Sequence, residues 1–413
     1  MSLVRPLAAL RPAPGRAADV IAPPYDVVTT DEARARAAGR PWSFLHVSKP
    51  EIDLPDGADP HSPSAYAKAA ENLARMLHAG ILVRDAAPAY YVYRVASGDH
   101  VQTGVVTATS IGAYEANRVR KHEHTRPDKE DDRVRHMQAL NAQTGPVLVA
   151  YPRAPEIDAF LAEAARGAPD TDASLEDGVR HSIWPIRDAA RIARVTALFD
   201  DVPALYIADG HHRSAAAARV AAARRAAHEH GSGDASYEWF LTVAFPHHEL
   251  RILDYNRVVR DLAGMSLETF IARLGEKFTV AASGVAVRPA RHGEFGLYAG
   301  GRWHRLALRT DLAEVADPAQ HLDVSLLTDH VLAPLLGIGD LRTDARIDFV
   351  GGGRGLAELE RRVDSGAMAA AFSLYPTRME DLMAVADADE AMPPKSTWFD
   401  PKLADGLVSH VLD

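Results

Sequence analysis

The sequence contains no cysteine among its 413 residues. This absence excludes disulfide bridges, thiolate nucleophiles and cysteine-ligated zinc, so any nucleophile must be an oxygen or a nitrogen. Lysine is scarce, with only seven among the 46 lysines and arginines. Four of the seven lie in unusual polar stretches, where an ammonium can serve as a point charge on phosphate: Lys121, Lys129, Lys395 and Lys402.

The sequence also lacks long apolar runs and an excess of positive charge. No stretch approaches the roughly 20 uninterrupted apolar residues that a membrane helix needs. The first residues, MSLVRPLAALRPAPGRAADV, do not have the layout of a secretory signal. We therefore expect a cytoplasmic protein that does not bind a membrane. The net charge of -10 argues against nucleic acid as a partner, because binding to its phosphates requires clustered Lys and Arg.

The length predicts more than one domain. Short apolar runs such as PVLVAYP, ALYIAD and EWFLTVAF are typical of strands, and helical patterns such as SAYAKAAENLARMLHAG alternate with them. This alternation favours an α/β fold, a mixed sheet with helices. Beyond residue 250 the pattern changes, with a hairpin predicted in FGLYAGGRWHRLAL. We predict a catalytic domain over residues 1–250 and a C-terminal α/β domain over residues 251–413.

The stretch ALYIADGHHRSAAAARV is the first that indicates chemistry. Its apolar run ends at Asp209, and a long helical pattern follows Gly210. A helix that begins directly after a strand has unpaired first amides with partial positive charge, which bind anions. Gly210 allows close approach of a ligand or a positive φ, and Arg213 can hold two phosphate oxygens at once. The alternative is that Asp209 only caps the helix and that His211 and His212 are surface residues.

The stretch RVRKHEHTRPDKEDDRVRH is the second that indicates chemistry. Thr125, Pro127 and Asp128 predict the start of a helix with a capping box. A solvated charged helix explains residues 128–136, but it does not explain Lys-His-Glu-His between a strand and a helix. There the functional and the structural interpretations are evenly balanced. A zinc site would have to use the histidines of both stretches, which lack the spacing His-Glu-x-x-His, so we assign no metal ligand.

Two stretches contain double prolines. IAPPYDVV places Asp26 after a rigid backbone, which suits a general base, although a carboxylate that caps a turn is equally common there. MPPKSTWF contains Lys395, and it could either cover a site or anchor the tail. The glycine-rich FVGGGRGLAEL matches neither a dinucleotide fingerprint nor a P-loop, and we interpret it as a turn.

Six stretches resemble the bacterial proteins known as domain-of-unknown-function family 1015. They are IAPPYDVV, FLHVSKPE, RKHEHTRPDKEDDRVRH, AQTGPVL, YIADGHHRSAA and MPPKSTWFDPK. The box ADGHHRSAAAA is also similar to the Gly-x-His-Arg box of the ParB/sulfiredoxin-like superfamily, whose members bind nucleotide phosphates at a strand-to-helix turn. Sulfiredoxins use a cysteine in this box, where this chain has His211, so the resemblance does not extend to their redox chemistry. Free-serine kinases hold a nucleotide with this box, and ParB proteins bind CTP with it.

The resemblance implies a ParB/sulfiredoxin-like core and a phosphotransferase that moves phosphate from ATP or ADP to the hydroxyl of a small metabolite. Free L-serine is the expected acceptor, and Mg²⁺ is the expected cofactor. The candidates for catalysis are Asp26, Glu123, Asp209 and His211. The candidates for nucleotide binding are Lys121, His122, Thr125, Arg126, Lys129, Gly210, His211, His212, Arg213, Ser214 and Lys395.

Two alternatives remain open. One is a ParB-like nucleotide-binding switch that acts in DNA partitioning, which would need a basic helix-turn-helix module, and no convincing one is found. The other is a hydrolase of phosphoesters or nucleotides, which differs from a kinase only in admitting water as the acceptor. The expected partners are a nucleotide and a small-molecule substrate. A homodimer is also compatible with the sequence.

Overall fold

The structure is a computed structural model that describes residues 2–227 and 234–413. The chain divides into two compact units. Unit 1 comprises Met1–Leu250 and Pro401–Asp413, and unit 2 comprises Arg251–Asp400. The segment Pro401–Asp413 therefore lies in unit 1 and not in the C-terminal domain to which the sequence analysis assigned it.

Unit 1 is built around a nine-stranded mixed sheet. The strands of the unit are β1 (Val4–Arg5), β2 (Leu10–Pro12), β3 (Leu82–Arg84), β4 (Tyr90–Ser97), β5 (His100–Ser110), β6 (Val119–Arg120), β7 (Ala142–Gln143), β8 (Val147–Tyr151), β9 (Thr171–Ser174), β10 (Arg180–Ile186), β11 (Leu205–Asp209) and β12 (Trp239–Pro246), with β21 (His410–Val411) in the C-terminal segment. The order in the large sheet is β6-β11-β8-β12-β5-β4-β10-β9, with β1 beside β5.

Parallel and antiparallel pairs alternate on the side of this sheet that contains β11. Strand β11 runs parallel to β6 and antiparallel to β8, while β12 runs parallel to β8 and antiparallel to β5. Every residue of β12 is buried, which explains its continuous apolar sequence, because a strand covered on both faces does not alternate. The predicted mixed α/β fold is confirmed.

The helices of unit 1 include the three that the sequence analysis predicts, which lie at residues 63–78, 127–140 and 211–227. They are α1 (Ala17–Val20), α2 (Thr30–Ala37), α3 (Leu45–Ser48), α4 (Pro63–His78), α5 (Ile111–Glu115), α6 (Pro127–Leu140), α7 (Pro155–Ala164), α8 (Ala189–Asp200) and α9 (His211–Ala227). Short 3-10 turns span Tyr25–Val27, Pro50–Asp53, Ser236–Glu238 and His247–Glu249. The small residues of α9 that are buried, such as Ala217 and Ala221, belong to the main hydrophobic core of the unit.

Backbone hydrogen bonds fix the C-terminal segment within unit 1. Strand β21 pairs with β7, and the amide of Leu412 donates to the carbonyl of Asn141. Upstream, the backbones of Asp405 and Ala22 exchange two hydrogen bonds, of 2.9 and 3.2 Å. The segment therefore runs beside the N-terminal residues, although almost the whole chain separates them in sequence.

Unit 2 contains a six-stranded antiparallel sheet in the order β15-β17-β16-β19-β14-β18 and a two-stranded pair of β13 and β20. Its strands are β13 (Ile252–Leu253), β14 (Tyr255–Val259), β15 (Phe278–Ser283), β16 (Glu294–Ala299), β17 (Arg302–Leu308), β18 (Ile347–Gly351), β19 (Ala370–Leu374) and β20 (Trp398–Phe399). The predicted hairpin is present as β16 and β17, with Gly300 and Gly301 at positive φ in the turn.

The helices of unit 2 are α10 (Leu267–Leu274), α11 (Thr310–Ala313), α12 (Asp323–Leu327), α13 (Ala333–Leu336), α14 (Gly355–Asp364) and α15 (Met379–Asp387). A π-helical turn at Thr328–Leu332 joins α12 to α13, and a 3-10 turn spans Gly352–Arg354. In the described parts of both units, no helix has the length and apolar character required to cross a membrane.

Gly104 provides a test of the packing between β5 and β12. A Cβ atom at this position would lie 2.7 Å from the Cδ1 atom of Phe245 and would also overlap the carbonyl oxygen of Ala244. We predict that Gly104→Ala lowers the free energy of unfolding by about 1–3 kcal/mol, the usual cost of overpacking a core. Urea unfolding followed by circular dichroism measures this. The control is Gly284→Ala, where no atom lies within 4 Å of the added Cβ and no comparable loss is expected.

Candidate functional site

The turn between β11 and α9 has the strand-to-helix geometry that the sequence predicts. Asp209 is the last residue of β11, and α9 begins at His211. Gly210, between them, has a φ of 109°, a conformation that residues with a Cβ rarely adopt. A Cβ there would also lie 3.0 Å from the Nε atom of Arg213. Gly210 is therefore required both by the turn and by the close packing of the guanidinium.

Arg213 is buried, with 5% of the residue exposed. Its guanidinium donates to the carbonyl of Pro146 and lies 3.3 Å from Oδ2 of Asp209. The same group lies 3.9 Å from Oδ2 of Asp26. Burial alone would lower the pKa of Arg213, but the charges of Asp209 and Asp26 outweigh it and raise this pKa. The structure thus brings Asp26, Asp209, Gly210 and Arg213 together.

Two further residues of this cluster come from the C-terminal segment, and the sequence analysis did not assign them to the site. Lys402 places its Nζ 3.2 Å from Oδ2 of Asp209. Asp405 is 2% exposed, and its Oδ2 accepts a hydrogen bond of 3.3 Å from the backbone amide of Tyr25. The scarcity of lysine was a signal for Lys402. No local sequence pattern points to Asp405, because the residues that it contacts in the structure, such as Tyr25, lie far away in the sequence.

The three carboxylates of the cluster differ in electrostatic environment. Burial would raise the pKa of Asp209, but the charges of Lys402 and Arg213 lower it well below its usual range, so Asp209 stays ionised. Burial raises the pKa of Asp405 to about 7, since the Arg213 charge only partly compensates for the loss of water. Asp26 is the most open of the three, with 37% of its side chain exposed. Among these carboxylates, Asp26 is the one most accessible to a substrate.

A small cavity lies beside this cluster, within unit 1. The residues that line it include Tyr25, Arg133, His136, Thr144, Arg213 and Asp405. Arg133 lies 4.0 Å from the centroid of the Tyr25 ring and pairs with Asp132 at 2.8 Å. The 3-10 turn that contains Asp26 is therefore held by this cation-π contact and by the hydrogen bond that the Tyr25 amide donates to Asp405.

His211 and His212 hold the polar segment 122–126 against the start of α9. The Nε2 atom of His211 accepts a hydrogen bond of 3.4 Å from the backbone amide of His122. The Nε2 atom of His212 accepts one of 3.1 Å from the backbone amide of Arg126. These contacts bring the two stretches of the sequence analysis together at neighbouring helix termini. Contacts of either histidine with a nucleotide remain a prediction.

His122 and His211 are both buried, and their rings meet edge to face with centroids 4.4 Å apart. Burial lowers the pKa of His122 to about 4 and also lowers that of His211, so both imidazoles are neutral at pH 7. Glu123 places its Oε2 3.7 Å from Nδ1 of His211. Within the described residues, His122, Glu123 and His211 form a group whose potential metal-ligand atoms all lie within 4.8 Å of one another.

The start of α6 differs in detail from the prediction. The helix begins at Pro127, as predicted, but the residue that precedes it is Arg126, and no side chain caps its amides. The capping box of Thr125 and Asp128 is therefore wrong. Instead Thr125 donates to Glu130, and Arg126 pairs with Asp128 at 2.9 Å because both are exposed on the same side of the turn.

The other candidates have local contacts. Lys121 lies over the ring of Tyr114, 4.2 Å from its centroid. Ser214 donates to the carbonyl of His211 at 3.0 Å, and Lys129 is exposed in the first turn of α6. Lys395 belongs to unit 2, where its carbonyl accepts a hydrogen bond of 2.9 Å from the buried Arg257. Nucleotide contacts of these residues remain a prediction.

Asp405 gives a test of this electrostatic arrangement. Its folded pKa of about 7 exceeds that of an unfolded aspartate, about 3.9, so folding takes up a proton between these values. This carboxyl therefore makes the protein less stable as the pH rises from about 4 to about 7. We predict that Asp405→Asn gains stability relative to the wild type across this window. Urea unfolding at several pH values measures the difference.

The matched control is Asp56→Asn, whose side chain is 93% exposed. The stability difference between this variant and the wild type should not change systematically with pH. A flat difference for Asp405→Asn would contradict the raised pKa of Asp405.

Comparison with known proteins identifies the family of the chain. No curated protein matches the chain significantly. Among solved structures, a conserved hypothetical protein from Pyrococcus furiosus is 14% identical, and the match covers 74% of this chain and 94% of that chain at a TM-score of 0.35. A free serine kinase in complex with AMP is 12% identical, with 75% and 91% covered at a TM-score of 0.37.

A third solved structure, SbnI with a C-terminal truncation from Staphylococcus aureus, is also 12% identical, with 73% and 86% covered at a TM-score of 0.37. At such TM-scores these alignments carry no argument about function. The family described as Protein of unknown function (DUF1015) matches residues 4–325, which is most of the chain. The chain belongs to this DUF1015 family.

Proposed function

We propose that this chain is a nucleotide-dependent phosphotransferase, with ATP or ADP as the donor and the hydroxyl of a small metabolite as the acceptor. The observation that carries the proposal is the position of Asp26, a partly exposed carboxylate 3.9 Å from the guanidinium of Arg213 at the start of α9. Phosphoryl transfer needs little covalent chemistry, but it needs positioned charges and a group that accepts the proton of the attacking hydroxyl. The pair of Asp26 and Arg213 supports both requirements, a positioned charge and a proton acceptor.

The phosphates are best accommodated at the first turn of α9. The amides of its first residues have no acceptor within the helix, and the helix dipole adds partial positive charge. The side chains add little net charge, because Arg213 and Lys402 are matched by Asp209 and Asp26. The amides therefore contribute directionality, and a further positive charge is required to balance a nucleotide polyphosphate.

Magnesium fits this requirement. Mg²⁺ is usually held by one or two carboxylates together with substrate phosphates and water, and Asp209, the carboxylate of this cluster that stays ionised, offers such a ligand. When bound, the ion neutralises charge on the transferred phosphoryl group. Asp209 also holds the cationic groups of Arg213 and Lys402 in position through its contacts with them.

Asp26 would act as the general base. Its backbone is fixed by the two prolines that precede it and by the hydrogen bond from the Tyr25 amide to Asp405. A base on such a turn can approach an acceptor hydroxyl from the solvent side. Free L-serine is the acceptor to test first, because the box ADGHHRSAAAA resembles that of free-serine kinases. That choice rests on the resemblance alone.

Replacing Asp26 separates binding from chemistry. Asp26→Asn keeps the shape of the side chain and removes the base. We expect turnover with a hydroxyl acceptor to fall by about two to four orders of magnitude, and nucleotide affinity to change by less than about tenfold. Nucleotide consumption is measured with a panel of hydroxyl-bearing metabolites that includes L-serine, and calorimetry measures binding of ADP to the same variant.

The control is Asp31→Asn, five residues along the chain, with a side chain that is 95% exposed. This variant should keep the wild-type rate. A near wild-type rate in Asp26→Asn would exclude Asp26 as the base, whereas loss of both rate and affinity would make it a ligand of the metal or a support of the loop. Consumption that is equally fast without any acceptor would favour the hydrolase.

The DNA-partitioning alternative has its own test. Because the net charge is -10, we expect no sequence-specific DNA binding at physiological salt and only weak association at low ionic strength. An electrophoretic mobility shift assay over a range of salt concentrations measures this. Tight, selective binding at physiological salt would favour a ParB-like switch over a phosphotransferase.

A further inference from the structure

The buried imidazole of His122 has a nitrogen without a partner. His122 is 2% exposed, and its Nδ1 atom is buried and has no hydrogen-bond partner in the described part of the chain. A buried polar atom that remains unpaired costs free energy, so such an atom calls for an explanation. Two nearby groups, the ring of His211 and the carboxylate of Glu123, could bind the same ion as this nitrogen.

The other nitrogen of His122 is already engaged. The backbone of Ile207 acts on this ring in the direction of a hydrogen-bond acceptor, raising its pKa, and it faces Nε2 because Nδ1 has no partner. A donor bond from one ring nitrogen to a carbonyl fixes the tautomer and leaves the lone pair on the other nitrogen. Metal-ligating histidines are typically oriented in this way. Nδ1 of His122 is therefore prepared as an electron-pair donor.

His211 and Glu123 complete a three-ligand arrangement. Nδ1 of His211 lies 3.7 Å from Oε2 of Glu123. Two ligand atoms about 2.0–2.2 Å from one ion at a tetrahedral angle stand roughly 3.4 Å apart, so this pair needs only a small adjustment. Ligation through Nδ1 moves the ring proton of His211 to Nε2. The bond from the His122 amide to Nε2, which is long at 3.4 Å, is then given up.

We propose that His122, Glu123 and His211 bind a divalent transition-metal ion of the Zn²⁺ or Mn²⁺ class. Two imidazoles and one carboxylate are a donor set that selects such ions over Mg²⁺, which prefers oxygen ligands. Three protein ligands leave coordination positions for water or a substrate oxygen. The two histidines are buried and Glu123 is exposed, so the group lies between the buried interior and the surface.

This site is distinct from the magnesium position discussed above. It lies where α9 meets segment 122–126, whereas Asp209 and Asp26 lie against Arg213. The proposal does not depend on phosphotransfer, because it concerns only binding of the ion by these three side chains.

The test titrates the purified, chelator-treated full-length chain with Zn²⁺ and with Co²⁺, in the absence of nucleotide. Calorimetry gives the Zn²⁺ affinity, and the visible absorption of bound Co²⁺ reports nitrogen and oxygen ligands. We expect one ion per chain. His122→Gln should weaken binding at least about a hundredfold, because even the outer partners of metal ligands are worth about 10–100-fold.

His124→Gln is the matched control, since His124 is exposed, two residues away and outside the group. It should bind the ion with wild-type affinity. A second variant, Glu123→Gln, removes an exposed ligand and is therefore tolerated by the fold even if His122→Gln is not. It should weaken binding at least about tenfold. Absence of binding by the wild type, or equal weakening by His124→Gln, would overturn the proposal. Loss of turnover in Asp26→Asn has no bearing on this result.

Discussion

The buried guanidinium of Arg213 connects segments that are far apart in the sequence. It donates to the carbonyl of Pro146 before β8, contacts Asp209 at the end of β11 and approaches Asp26 in the N-terminal turn. Asp405 in the C-terminal segment also contributes to its electrostatic environment. A buried cation is tolerated only when hydrogen bonds and opposite charges compensate for the lost water. The positions of these segments therefore depend on one another.

The same compensation limits what substitutions of Arg213 can reveal. Without the guanidinium, Asp209 would lose one of the two ion-pair partners that it has among the described residues, and the Pro146 carbonyl would lose a donor. Removing one partner of a buried charge pair is usually far more costly than replacing both. Such a variant would test the fold and the site together. Asp26 is more exposed and makes a longer contact, so its replacement isolates the chemistry.

Much of the fold could be predicted from the sequence because the relevant patterns are local. The apolar run before Gly210 and the alanine-rich pattern after it are sufficient to predict β11, the turn and α9. Lys402 and Asp405 could not be placed, because they reach the site through backbone pairing with Ala22 and Asn141, which no local pattern encodes. The capping box at Thr125 failed because Arg126, not Thr125, is the residue at the N-cap of α6.

The histidines show the same limit of local sequence patterns. A zinc interpretation from sequence alone had to consider His124 and His212 with His122 and His211. In the structure, His124 is exposed, and His212 accepts a hydrogen bond from the Arg126 amide. The carboxylate of Glu123 lies beside His122 and His211 instead. Which residues of a short polar segment meet depends on the path of its backbone, and here the amides of His122 and Arg126 determine that path by bonding to α9.

Two residues of one helical turn thus belong to two clusters with different chemistry. His211, the first residue of α9, faces His122 and Glu123, and Arg213, two residues later, faces Asp26 and Asp209. The positive end of the helix disfavours a cation at the first cluster and favours an anion at its amides. A phosphate held by those amides would offset the penalty on the ion, and the ion would in turn attract the phosphate. Because coupling free energy is reciprocal, the proposed ion and a phosphate at this terminus would each strengthen binding of the other.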